Sequence, residues 1–136
     1  MSEDHILAHT RGTISLADAR YRTAIHAGHH DLVADEPVSG GGGDSGASPF
    51  ALVLAGLSAC TTITLRMYAE RKGWAFTELA VELTCYREED KTVKIDRVLT
   101  IGGLDAEQKQ RMAEIAEKTP VTLALKTGIP IATALA

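Results

Sequence analysis

Between Asp44 and Arg66 the chain carries no charge, and its apolar residues do not keep to one helical stripe. Leu52, Val53, Leu54, Ala55, Leu57, Ala59, Ile63 and Leu65 fall on every side of a helical wheel. Ser48 can cap a helix, and Pro49 suits its first position because the missing N–H would have had no partner there. Arg66, Arg71 and Lys72 gather at the far end, where cations suit the helix dipole, and Gly73 fits the position just past it. Residues 48–73 therefore predict one long helix. Ser58, Thr61, Thr62 and Thr64 punctuate it, and its apolar run is short for a membrane span. The expectation is a central helix of a soluble domain, covered on all sides.

The flanking pattern has the period of strands. Alternations at residues 5–8, 13–16 and 21–25 predict two or three modest strands, broken at Arg11-Gly12 and Ala17-Asp18. Residues 35–47, DEPVSGGGGDSGA, predict a flexible linker or lid; no Gly-Lys-Ser/Thr follows, so this is not a phosphate loop. After the long helix, Leu79, Val81, Leu83 and Cys85 share one parity. Val93, Ile95, Leu99 and Ile101 do so again, with Arg97 interrupting. A turn at residues 88–91 makes these a long antiparallel hairpin with one covered face. Asp105 and Gln108 have capping-box spacing for a helix through Lys118, with Met112, Ile115 and Ala116 inward. Thr119-Pro120 repeats the cap-plus-proline signal and predicts a short helix closed by Gly128. Residues 129–135 predict a last strand, placed at an edge by Pro130.

With 136 residues the chain makes one domain, 1–136. Residues 1–47 supply N-terminal strands and the glycine-rich loop, and 48–136 the central helix, hairpin, second helix and last strand. A net charge of −4 leaves no basic face for nucleic acid or an anionic membrane. Residues 1–10 begin acidic and lack the apolar core of a signal peptide, so a cytoplasmic location is expected. His26, His29 and His30 lie near Asp31, but one strand rarely aims such close residues at one ion. They are read as a polar turn, and no metal or cofactor is expected. Two cysteines do not make a disulfide framework. Cys85 shares the core parity and is expected to be an inert thiol. Cys60, in mid-helix, is either a packed thiol or a nucleophile. Its own helix N-terminus is too distant to help, so a thiolate would need a cation from elsewhere in the fold.

Two segments carry a resemblance over nearly the whole chain. GASPFALVLAGLSACTTITLRMYAERKGW, 46–74, and LDAEQKQRMAEIAEKTPVTLAL, 104–125, resemble the OsmC-like family of osmotically inducible and organic hydroperoxide resistance proteins. The resemblance implies an α+β fold: antiparallel β-sheets wrapped around two long central helices of an intertwined homodimer. It implies thiol peroxidase chemistry, in which a peroxidatic thiolate attacks the O–O bond of an organic hydroperoxide, becomes a sulfenic acid and is resolved by a second thiol. Cys60 falls at the peroxidatic position. The family's resolving cysteine falls at Thr119, so an external thiol reductant would complete the cycle unless Cys85 serves. The Glu that holds the activating Arg in the hydroperoxide-resistance branch falls at Phe50. That Arg comes from the N-terminal strands: Arg11 is the first match, with Arg20 and Arg22 as alternatives. A second expectation is a non-catalytic or structural dimer of the same fold, binding a small apolar ligand in a pocket over Cys60 lined by Phe50.

Overall fold

The computed structural model describes residues 5–136, so residues 1–4 of the acidic start lie outside it. Its contacts divide the chain between Val53 and Leu54 into two compact units. The fold is α+β, with two antiparallel sheets and three α-helices among the described residues.

In the N-terminal unit, β1 (Thr10–Thr13), β2 (Thr23–Ala27) and β3 (His30–Ala34) pair in that order. The strand predicted at 21–25 is β2, two residues further on, but the other two differ from the prediction. Arg11 and Gly12, read as a break, lie inside β1 opposite His26 and Ile25, while residues 5–8 form no strand. His30 and Asp31, read as a polar turn, belong to β3. The turn itself is Gly28-His29, where Gly28 supplies the positive φ (62°) that tight hairpin turns require. His26 then faces Asp31 across the pair and bonds it through Nδ1. Short, mostly exposed strands carry too little apolar alternation to fix their bounds in the sequence.

The glycine-rich segment is not a slack linker. It folds over the buried carboxylate of Asp35, which accepts from the Ser45 hydroxyl at 2.6 Å, the Ser45 N–H at 3.0 Å and the Glu36 N–H at 2.8 Å. These donors hold its carboxyl below the ordinary value of 3.8, the Ser45 hydroxyl most of all. A 3-10 turn at Val38–Gly40 and a bridge from Ala34 to Ala47 complete the loop. A Cβ on Gly46 would meet the Val33 carbonyl oxygen at 2.1 Å, and one on Gly42 the Glu36 carbonyl oxygen at the same distance. Backbone passes too close at both points for any side chain.

α1 (Pro49–Lys72) starts where expected, with the Ser48 hydroxyl accepting from the Ala51 N–H at 3.3 Å. It ends in a Schellman motif: Trp74 N–H bonds the Ala69 carbonyl at 2.9 Å and Gly73 N–H the Glu70 carbonyl at 3.2 Å. Trp74 then packs edge-on against Tyr68, their centroids 5.6 Å apart. The expected all-round cover is not supplied by the described residues. Only Leu57, Thr61, Leu65 and Ala69 are buried, an i, i+4 stripe, while Phe50, Ile63 and Met67 are each more than half exposed. By length and composition alone α1 could cross a membrane.

That stripe lies on the core of the C-terminal unit. Leu65 and Ala69 pack with Ile101, Met112 and Ala116, and Leu79, Leu99, Leu104 and Ile115 close around them. The hairpin of β4 (Glu78–Arg87) and β5 (Val93–Gly102) forms as predicted and its pairing joins the two predicted parities, Leu79 opposite Ile101, Val81 opposite Leu99 and Cys85 opposite Ile95. α2 (Ala106–Ala116) begins in the predicted capping box: Asp105 Oδ1 accepts from Gln108 N–H at 2.8 Å, and Gln108 Oε1 from Asp105 N–H at 3.0 Å. α3 (Pro120–Thr127) follows, capped by Thr119. Among the described residues no strand forms beyond Gly128. Ile129, Ile131 and Leu135 stand exposed, because no neighbouring strand takes up the hydrogen bonds of residues 129–135.

Candidate active site at Cys60

Cys60 lies halfway along α1, one residue before the buried Thr61, and its thiol is half-buried and free. Its sulfur meets the beginning of another helix: the Val121 N–H donates to Cys60 Sγ at 3.4 Å. Val121 is the second residue of α3, where an N–H has no partner inside its own helix. The absence of helix-dipole help expected from the sequence is thereby corrected. α1 gives Cys60 none, but the N-terminus of α3 points an orphan N–H, with its partial positive charge, at the sulfur. Sequence spacing along one helix cannot reveal the end of another.

Beside this contact lies a residue that the parity pattern registered only as an interruption. Arg97 sits on β5 opposite Leu83, on the inward face with Ile95, Leu99 and Ile101, and its side chain is only 12% exposed. Nη1 donates to Thr61 Oγ1 at 3.1 Å and to Thr122 Oγ1 at 2.9 Å. Nη2 donates to the Ala116 carbonyl at 2.9 Å and to Glu117 Oε2 at 3.1 Å. A cation can be held inward only with such partners, since burial without them would cost several kcal/mol. Glu117 also bonds Lys126, and this ammonium, more than Arg97, holds the Glu117 carboxyl below its ordinary range.

The hydroxyls satisfy one another. Thr61 can donate to the Leu57 carbonyl, 2.7 Å away, while accepting from Arg97. Thr122 can donate to the Ala116 carbonyl at 3.3 Å while accepting from Arg97 and from Thr119 Oγ1, 2.6 Å away. Thr119 Oγ1 in turn accepts from the Thr122 N–H at 3.4 Å. Thr119 and Thr61 are fully buried, so Thr119 is part of a closed polar cluster as well as a cap.

Arg11, the sequence's first candidate for an activating cation, is an exposed residue of β1 in the N-terminal unit. Arg20 and Arg22 lie between β1 and β2, Arg20 with a positive φ of 41°. Cys85 faces inward on β4 and is likewise free and half-buried. Phe50 stands more than half exposed in the first turn of α1. An open cleft of about 460 Å³ in the C-terminal unit is lined by Tyr68, Lys72, Trp74, Gln108 and Arg111 among others, with no cysteine.

A family model described as OsmC-like protein matches residues 41–134. Among solved structures, an OsmC-like protein from Mycoplasma pneumoniae superposes with a TM-score of 0.75 at 17% identity, over 90% of this chain and 89% of that one. An organic hydroperoxide resistance protein from Elizabethkingia anophelis gives 0.69 at 20% identity, over 92% and 91%. The organic hydroperoxide resistance protein OhrB of Bacillus subtilis gives 0.61 at 23% identity, over 89% and 91%. At these identities the likeness is one of fold. No match was found among curated proteins.

Proposed function

The chain belongs to the OsmC-like family, and on that premise we propose that it is a thiol-dependent peroxidase reducing organic hydroperoxides through Cys60. The observation that carries the proposal is the Val121 N–H on Cys60 Sγ. A half-buried thiol facing a helix N-terminus has a donor for the negative charge that the nucleophile needs. The thiolate attacks the terminal peroxide oxygen, the O–O bond breaks, and the leaving alkoxide takes up a proton as an alcohol. Cys60 is left as a sulfenic acid. Thr119 stands where the family's resolving cysteine falls and has no redox chemistry. An external thiol therefore condenses with the sulfenic acid, releasing water, and a second thiol frees Cys60 by disulfide exchange.

Arg11 is the proposed activating cation, and the proposed assembly is an intertwined homodimer. Support for the dimer comes from apolar surface left bare within one chain: Phe50, Ile63 and Met67 along α1, and Ile131 and Leu135 at 88% and 98% exposure beyond α3. The family match spans α1, which supports reading that helix as part of the family's fold rather than as an anchor.

Treatment with cumene hydroperoxide, trapping with dimedone and peptide mapping should find the sulfenic-acid adduct on Cys60. Arg11→Ala should lower its yield. An adduct on Cys85 alone, or none on either cysteine, would overturn the peroxidase reading in favour of a non-catalytic dimer that binds a small apolar ligand. An undiminished yield in Arg11→Ala would remove Arg11 from the site and leave the peroxidase standing.

A further inference from the structure

We infer that Arg97 is a positioning residue for Cys60: its guanidinium fixes the start of α3 against α1 so that the Val121 N–H stays on the sulfur. The inference deepens the reading of Cys60 as the reacting thiol and rests on it.

Two consecutive residues of α1 meet two consecutive residues of α3. Cys60 Sγ receives the Val121 N–H at 3.4 Å, and one residue further along each helix, Thr61 and Thr122 are joined through Arg97 Nη1 at 3.1 and 2.9 Å. The threonine link is therefore a second fastening of the same two backbones, one residue from the sulfur. α3 has eight residues, too few to hold itself in place by helix propensity alone. Its start is placed by what grips it. Nη2 of the same guanidinium binds the Ala116 carbonyl at the end of α2 and the Glu117 carboxylate in the link to α3, so the α2–α3 connection is gripped as well. β5 anchors the cation in a ten-residue strand paired along its length with β4.

The chemistry asks for this residue type. Four acceptors shared two and two between Nη1 and Nη2 fit the planar fork of a guanidinium, whereas a lysine ammonium carries three donors on one atom. The sulfur contact is long, and hydrogen bonds weaken steeply once distance and angle drift. A small displacement of α3 would therefore remove it. Arg97 itself is not required to touch substrate or sulfur.

The test uses the full chain in a Cys85→Ser background, so that Cys60 is its one thiol. Two quantities are read: the Val121 amide proton shift by ¹⁵N-edited NMR, and the rate of Cys60 alkylation by iodoacetamide as a function of pH. Arg97→Lys should move the Val121 amide proton upfield and slow alkylation at neutral pH by about tenfold, the worth of one hydrogen bond to a charged group. Thr61→Val, which removes one arm of the fastening, should move both in the same direction by less, and it serves if Arg97→Lys does not fold. Glu117→Gln weakens only the half-exposed outer arm of the grip, keeps both threonine contacts, and should move both quantities less than Thr61→Val does. Leu99→Ala, which loosens the same core without touching the cation, should lower Tm and leave the Val121 shift in place.

An unchanged Val121 shift and parent-like alkylation in Arg97→Lys would overturn the inference. So would a matching loss in Leu99→Ala, which would make Arg97 ordinary core. If wild-type Cys60 resists hydroperoxide while the Val121 shift depends on Arg97, the peroxidase reading falls and the positioning role stands.

Discussion

At the scale of single residues, Thr119 separates folding from chemistry. Buried, capping α3 and bonded to Thr122, it leaves an unpartnered N–H and a small void if truncated. Thr119→Ala should cost about 1–2 kcal/mol in urea denaturation, with peroxide turnover per folded molecule unchanged. Lost turnover at full stability would assign the hydroxyl a part in the chemistry. Thr119→Cys should restore a resolving thiol, because residue 119 is two positions from the N–H that touches Cys60 Sγ. One equivalent of cumene hydroperoxide should then join Cys60 to the sulfur introduced at position 119 as a disulfide and leave one free thiol by titration. Two free thiols would show that Cys60 was oxidised but the new sulfur cannot reach it, and three that Cys60 had not reacted with the peroxide. The sequence marked Cys60 and Thr119 as the residues to watch. It could not reveal that Arg97 lies beside Thr61 and Thr122, since a guanidinium on an inward parity reads as a flaw until its partners are seen.

At the scale of elements, the sharpest departure from the sequence is the glycine-rich segment. Composition reads it as slack, yet Asp35 gathers three donors there and two glycines lie against backbone carbonyls. Gly46→Ala should destabilise the N-terminal unit by about 1–3 kcal/mol in a denaturant titration, because its Cβ would overlap the Val33 carbonyl. An unchanged midpoint would mean that the loop gives way freely. The Asp35 carboxyl is held below 3.8, the Ser45 hydroxyl first among the causes. A lowered folded value adds stability above the unfolded value and loses it as pH falls through the folded one. The Ser45 and Glu36 amide resonances should therefore shift in acid below 3.8, and Asp35→Asn should abolish that step. A step that survives Asp35→Asn would belong to another carboxylate.

At the scale of the whole molecule, bare apolar surface is the dominant fact. α1 buries one stripe, and the residues after Gly128 are mostly apolar, exposed and without a partner strand among the described residues. Exposed apolar surface of this kind is what the proposed dimer would cover. Sedimentation equilibrium at micromolar concentration should give a homodimer with no stable folded monomer near 14.5 kDa. A folded monomer at that mass would sink the dimer. Deleting residues 129–136 should weaken the dimer if the tail contributes to it, and an unchanged association constant would exclude the tail.

What the sequence determined by itself is what local chemistry dictates. Ser48-Pro49 and Gly73 bound α1, Asp105 and Gln108 start α2, Thr119-Pro120 starts α3, and period-two alternation sets the β4–β5 face, because caps, prolines and parity act within a few residues. Of its N-terminal strands only the one at 21–25 falls near its place, within two residues of β2, since short exposed strands take their bounds from cross-strand partners rather than from their own alternation. Tertiary structure alone decided the surroundings of Cys60. The donor on its sulfur comes from residue 121, and the cation fastened to its neighbour comes from residue 97. Contacts between segments this far apart leave no period, cap or spacing in the chain, because they exist only once three helices and a strand have converged.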